Sequence, residues 1–370
     1  MSKVDSIKNN GDILTFTLSN VNVSVANALR RTIISDIPTI VFRTAPYEDN
    51  KAKFEINTTR LNNEILKQRL SCIPIHMQTM TTSSATGQVI NEVPYKNYRL
   101  EIDVKNDTDA TIYVTTKDFV VRDKQANRII DNKELFPPND NGQYIDFVRL
   151  RPKISDEIQG EHLKLTCDFD LGTAKESGMF SQVSTCAYGN TVDESAAEQA
   201  LAKKIVDWKT KPDADIDFES KNWKLLDGLR YFVPDSYDFK VQTIGVYTNI
   251  ELIQIACDVL IKRLQELGDF EVRPAENTMK NSYDVILKDD DYTIGKTLEW
   301  FLHSKYFSSE TDSKLLTYCG FKKFHPHDHD SIIRLAYAEP VVIATIQEHL
   351  ANCIEDAVKT FHSIRKGFKE

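Results

Sequence analysis

The sequence has no apolar run approaching the roughly 20 residues that a helix needs to cross a bilayer. Its opening stretch, MSKVDSIKNNGDILTF, holds none of signal-peptide length either. Cysteine is sparse: Cys72, Cys167, Cys186, Cys257, Cys319 and Cys353 lie far apart and never as Cys-x-x-Cys. That spacing argues against a zinc ribbon, a redox pair and a disulfide-stapled secreted scaffold, and no metal or cofactor is expected. An intracellular chain with reduced, mostly buried thiols is expected instead, and the sequon at Asn57-Thr58-Thr59 would go unused there. A polybasic block is also missing, since 46 Lys and Arg face 55 Asp and Glu for a net charge of −9. Binding to a phosphate backbone rests on clustered cations. The expected partner is therefore protein, with no strong direct nucleic-acid binding and no membrane.

What is present is enough apolar material, 41% of 370 residues, for about two or three domains with real cores. Ile13 to Leu18 alternate as a strand does, and NVNVSVANALRRTIISDIPTIVF follows with helical spacing. Ser24 is placed to cap that helix and Pro38 to end the run. A short helix is expected around Leu61 to Ser71. Beyond it, Tyr98 to Val104 and Ala110 to Val114 alternate about the turn NDTD as a hairpin would. Residues 77–233 read as a β-rich domain with one helical piece, and 234–268 as a returning strand and an amphipathic helix. A polar stretch containing Pro274 makes 269–281 a linker.

After the linker the opening pattern recurs over 282–370. SYDVILKDDDYTIGKTLEWFL is again strand, polar turn and helix, and Val25-Ala26-x-x-Leu29 matches Ile294-Gly295-x-x-Leu298. A last helix sets Ile343, Ile346, Leu350, Ile354, Ala357, Phe361 and Ile364 on one stripe. Helices on one face of a small sheet leave such a stripe uncovered, and two such units in one chain can cover each other. The fold expected is α+β: residues 1–76 with 234–268 as one unit, 282–370 as the other, in an intramolecular pseudo-dimer with the β-rich domain inserted in the first. Val25, Leu29, Ile253, Leu260, Leu264, Ile294, Leu298, Ile346, Leu350, Ile354 and Phe361 are the expected seam and core.

Three polar clusters invite a chemical reading. HPHDHD at 325–330 offers His325, His327 and His329 with Asp328 or Asp330, the ligand types of a metal-dependent hydrolase. Pro, Asp and His equally suit an exposed turn, the following alternation supports a hairpin there, and no second ligand cluster exists, so the turn is preferred. Asp289, Asp290 and Asp291 resemble a magnesium-holding triplet but stand directly before a helix start, where negative charge is favoured. Arg30 and Arg31 are adjacent on a helix and diverge by about 100°, so they cannot both face one core, and arginine is favoured at protein interfaces.

The motifs NVNVSVANALRRTIISDIPTI, NTTRLNNEILKQRLSCIPI, SGMFSQVSTCAYGN and YDFKVQTIG resemble, in order, the α-like assembly subunits of multisubunit DNA-directed RNA polymerases: the bacterial α subunit, the archaeal D subunit and the third subunit of eukaryotic polymerase II. DDDYTIGKTLEWFL and CGFKKFHPHDHDSIIRL resemble their smaller partner, the archaeal L subunit and the eleventh subunit of polymerase II. Both partners in one chain resemble the arrangement in large DNA viruses. The resemblance implies a non-catalytic scaffold that docks the second-largest, β-like subunit and then the largest, β′-like one, beside a small auxiliary subunit. It implies that Arg31, and next Arg30, contact the β-like subunit, and that the complex works in a virion, host cytoplasm or nucleus. Tyr292, Phe324 and Glu299-Trp300 depart from the residues common in the small partner, so contacts are not carried over there.

Overall fold

The structure, a computed structural model, describes residues 2–77, 80–82, 89–92, 94–155, 157–211, 215–268, 270–307 and 315–368. The chain forms two compact units. Met1–Ile33, Thr185–Gln242 and Asn249–Glu370 make the first, and Ile34–Ser184 with Thr243–Thr248 the second. The contact boundaries of these units fall after residues 33, 184, 242 and 248. Strand pairing gives the reason. Ala52–Asn57 pairs with His162–Asp168, tying residues before 77 into the β-rich unit, while Val183–Val192 joins a sheet of the first unit.

The first unit holds β1 (Lys3–Asn10), β2 (Ile13–Ser19), α1 (Val23–Ser35), β3 (Val183–Val192), α2 (Glu194–Lys209), α3 (Ile216–Leu225), β4 (Phe232–Thr243) and α4 (Asn249–Glu266). It continues with β5 (Glu271–Pro274), β6 (Ser282–Leu287), α5 (Tyr292–Leu302), β7 (Leu316–Lys322), β8 (Ser331–Tyr337) and α6 (Ile343–Gly367). The sheets run β1-β2-β4-β3 and β5-β6-β8-β7. Both have one strand order, a helix after the second strand and a long helix after the last. Part of the expected linker is strand: β5 pairs antiparallel with β6 along Glu271 to Pro274.

Alternation in β2 turns Leu14, Phe16 and Leu18 inward, opposite Val241, Phe239 and Tyr237 of β4. Phe16 and Phe239 stack at 4.9 Å, and the Phe368 ring meets Phe16 edge-on at 4.8 Å. Helix α1 begins two residues earlier than expected, because the Asn22 side chain, not Ser24, accepts a first-turn N–H, that of Ser24 itself, at 3.0 Å. Helices α4 and α6 pack on each other and are joined by Arg365 and Asp258 at 2.8 Å. Ten of the eleven seam and core residues are buried: Val25, Leu29, Ile253, Leu260, Leu264, Ile294, Leu298, Ile346, Leu350 and Phe361. Ile354 is half-buried, because from Leu350 the helical period runs inward through Cys353 and Ala357. Gly295 is where the repeat has Ala26 in the first set; a Cβ there would lie 2.0 Å from the Phe321 ring, so the helix needs glycine to approach β7.

The second unit is built on a five-stranded sheet running Arg128–Ile130, Val120–Asp123, Tyr98–Lys105, His162–Asp168 and Ala52–Asn57. The expected hairpin does not form. Tyr98–Lys105 pairs with His162–Asp168, while Ile112–Thr115 pairs with Asp146–Leu150. The turn between them is held by the buried Asn106, whose amide donates to the carbonyls of Ala110 and Leu150 at 2.9 and 3.0 Å and so directs the chain to another sheet. Its core gathers Phe42, Phe119, Phe136, Phe147 and Phe169. Helix Asn63–Ser71 starts at Asn62, which accepts the Ile65 N–H at 2.9 Å, and buries Leu66 and Leu70. Among the described residues no helix is long and apolar enough to cross a membrane.

Two outcomes are expected. Phe16→Ala removes a fully buried ring between two others and lowers unfolding free energy by about 3–5 kcal/mol, measurable by denaturant titration. His349 is buried, stacked 4.1 Å from Tyr306 with its Nδ1 3.1 Å from the Tyr337 hydroxyl, and burial holds its pKa below the usual value. The unfolded chain therefore takes up this proton first, so stability is full above about pH 6.5 and is lost as pH falls below it. Thermal midpoints at pH 7.5 and 5.5 should differ less in His349→Phe than in the wild type.

Candidate functional site

The histidine cluster lies in the turn between β7 and β8. Its polar atoms are engaged within the turn and with Asp289 of the turn between β6 and α5. The His325 N–H donates to the Asp328 carboxylate at 2.9 Å, and the His327 N–H donates to His325 Nδ1 at 3.1 Å. Asp330 accepts the Asp289 N–H at 3.1 Å, and His329 lies 4.0 Å from the Asp289 carboxylate. The six residues are exposed, and the neighbouring Phe324 ring carries the Lys322 ammonium at 4.1 Å. A metal site needs several donors converging on one point. Among the described residues no three His, Cys, Asp or Glu side chains do so. The cluster is the turn between β7 and β8, in which Asp328 fixes the local backbone while Asp330 reaches the turn between β6 and α5.

The aspartate triplet is likewise consumed by structure. Asp289 takes a left-handed backbone, φ 54°, which aspartate tolerates better than most residues. Asp290 is buried, pairs with Arg263 of α4, and its carbonyl accepts the Ser331 hydroxyl at 2.7 Å. Asp291 caps α5 by accepting the Thr293 N–H at 3.0 Å. Its other oxygen receives the Arg31 guanidinium at 3.0 Å, and Arg31 Nε donates to the Thr293 hydroxyl at 2.9 Å. Arg31 thus joins α1 to the start of α5, keeping about a third of its side chain in solvent, 35%. Arg30 is placed differently. Half-buried, it donates to Asn27 of its own helix at 3.0 and 2.9 Å.

The cysteines do not converge. Cys167, Cys186, Cys257 and Cys353 are buried, Cys319 is half-buried and Cys72 is exposed. Burial pushes the thiols of Cys186, Cys319 and Cys353 up to about 12, so each is a neutral, apolar group near pH 7.

One surface feature escaped sequence reasoning. Large apolar side chains stand exposed along α3 and the turn that follows: Phe218 at 62%, Leu225 at 72%, Leu226 at 62% and Leu229 at 54%. Only Trp223 of that helix is buried, its ring tilted against that of Tyr231 at 5.8 Å. Periodicity marks apolar positions but not which of them lack a covering element, so no signal in the sequence separated these from core.

The family model for the RNA polymerase Rpb3/Rpb11 dimerisation domain matches residues 15–264. The chain is similar to subunit 3B of the DNA-directed RNA polymerases IV and V of Arabidopsis thaliana, 27% identical over 186 residues, 48% of this chain and 53% of the relative. It is similar to the DNA-directed RNA polymerase II subunit RPB3 of Schizosaccharomyces pombe, 26% identical over 180 residues, 47% of this chain and 54% of the relative. With the DNA-directed RNA polymerase subunit Rpo3 of Pyrococcus horikoshii it is 25% identical over 286 residues, 71% of this chain and 95% of the relative. The chain spans about half the length of the two eukaryotic relatives.

If the histidines act only as turn residues, replacing His325, His327 and His329 together by alanine should change unfolding free energy by less than about 0.5 kcal/mol, whereas Asp330→Ala, which strips a backbone N–H of its acceptor, should cost about 1 kcal/mol. Chemical denaturation of both variants checks the contrast.

Proposed function

The chain belongs to the RNA polymerase Rpb3/Rpb11 dimerisation-domain family, and from that premise we propose that it is a non-catalytic assembly subunit of a DNA-directed RNA polymerase. The observation that carries this reading is the family match over residues 15–264, joined by relatives named as polymerase subunit 3 from plants, a yeast and an archaeon. In this reading the first unit is a pseudo-dimer. Residues up to α4 stand for the larger assembly partner, β5 to α6 for the smaller, and the β-rich unit is an insertion in the first. The shared strand order of the two sheets supports it.

Fusion of the two partners, the arrangement resembled in large DNA viruses, raises the effective concentration of one for the other, so pairing would not wait on an encounter. The paired sets then offer a surface to the β-like large subunit, and the β′-like subunit joins that complex. Phosphoryl transfer belongs to those large subunits, since Asp290 and Asp291 are committed to Arg263 and Arg31. Arg30 and Arg31 are the proposed contacts on the docking face. Of the two, Arg30 makes its bonds to a residue of its own helix turn, which can be exchanged for a partner carboxylate without disturbing another element.

Affinity capture of the tagged chain from its native source, with mass spectrometry, tests this. Two very large polymerase subunits should come along near one-to-one, and Arg30→Ala should lower their recovery by about tenfold, the effect of losing a hot-spot arginine. Recovery of the chain alone would overturn the reading.

A further inference from the structure

The acidic turn between β6 and α5 is met by arginines from far earlier in the chain. Arg263 of α4 holds Asp290, and Arg31 of α1 holds Asp291 and Thr293. One ion pair runs in the other sense, from Arg365 of α6 to Asp258 of α4. The two sheet-and-helix sets therefore meet through ion pairs, and at the turn between β6 and α5 the cations come from the first set and the anions from the second.

The matching positions of the two sets differ in that charge. Asn22 accepts the Ser24 N–H at 3.0 Å, as Asp291 accepts the Thr293 N–H at 3.0 Å, so the two caps share a geometry. Val25 and Leu29 follow Asn22 at the same steps as Ile294 and Leu298 follow Asp291. Arg31 lies nine residues after Asn22, and nine residues after Asp291 stands Trp300. The first set thus carries a neutral cap and a cation, and the second carries an anionic cap and an indole.

We infer that the turn Asp289–Asp291 is a charge key that makes the pairing of the two sets mixed and excludes like with like. The inference rests on reading the first unit as two equivalent sets facing each other. Two first sets, from two copies of the chain, would bring Arg31 against the neutral Asn22. Two second sets would bring Asp291 against Trp300, leaving a partly buried carboxylate without its cation. An unpaired charge at a seam costs far more than a paired one, and specificity is commonly built from such penalties. Arg263 with Asp290 enforces the same choice from the other helix. The occupant that fits the Arg31 face is the second set of this chain, and the chain closes on itself as a monomer.

The test uses the full chain carrying Arg31→Glu, Asp291→Lys, or both. Each single reversal should lower the thermal midpoint by about 2–4 °C or more and shift native mass spectra from monomer towards dimer. The double reversal, which restores opposite charges, should recover most of that loss and the monomer. Losses that add in the double variant, or singles that lose nothing, would overturn the key. If a reversal prevents folding, Arg31→Gln and Asp291→Asn form the same cycle, and a combined loss smaller than the sum supports the key while simple addition overturns it. Trp300→Arg with Asn22→Asp should raise the midpoint by installing the second pair, and an unchanged or lower midpoint would overturn the facing geometry. None of these measurements involves polymerase subunits, so failure of the key and failure to capture those subunits remain separate results.

Discussion

The Phe368 ring, near the end of the chain, lies edge-on against Phe16 in its second strand, and Phe16 in turn stacks on Phe239. Much of the first unit follows from that contact. A four-stranded sheet with an apolar face needs a cover, and a 25-residue helix with an apolar stripe needs a floor. Helix α6 answers both needs by packing on α4 and reaching β1. Gln254 of α4 donates to the Phe368 carbonyl at 2.8 Å, which satisfies a helix-end group that would otherwise lack a partner.

Hydrophobic burial of this kind has little directional preference. Two similar sets could slide or exchange if nothing but apolar surface joined them. Direction comes from the rim, where arginines and aspartates meet across α1, α4, α5 and α6. The same residues explain why two motifs that look chemical are structural. Asp290 and Asp291 neutralise arginines, Asp328 accepts a backbone N–H within the hairpin turn, and Asp330 accepts the Asp289 N–H of the turn between β6 and α5.

Much of this was legible in the sequence. The step from alternation to helical spacing at Ser19–Val25, and again at Leu287–Ile294, located β2, α1, β6 and α5. The repeated Val25/Leu29 and Ile294/Leu298 pairs anticipated two similar sets, and their burial agrees with that pattern. Local rules failed where partners are remote. Asn106 bonds to Leu150 and sends the chain to a different sheet from the one its alternation suggested. Of the neighbours Cys353 and Ile354, it is Cys353 that is buried, in step with Leu350 and Ala357.

By itself the sequence determined the elements around the two repeated motifs, most of their apolar faces and the position of each charge, because periodicity, caps and turns depend on residues a few positions apart. Only the tertiary structure decided which charges meet. Arg31 and Asp291 are separated by 260 positions, and a pair at that distance is set by how sheets and helices close over their apolar faces, a long-range outcome that local spacing does not encode.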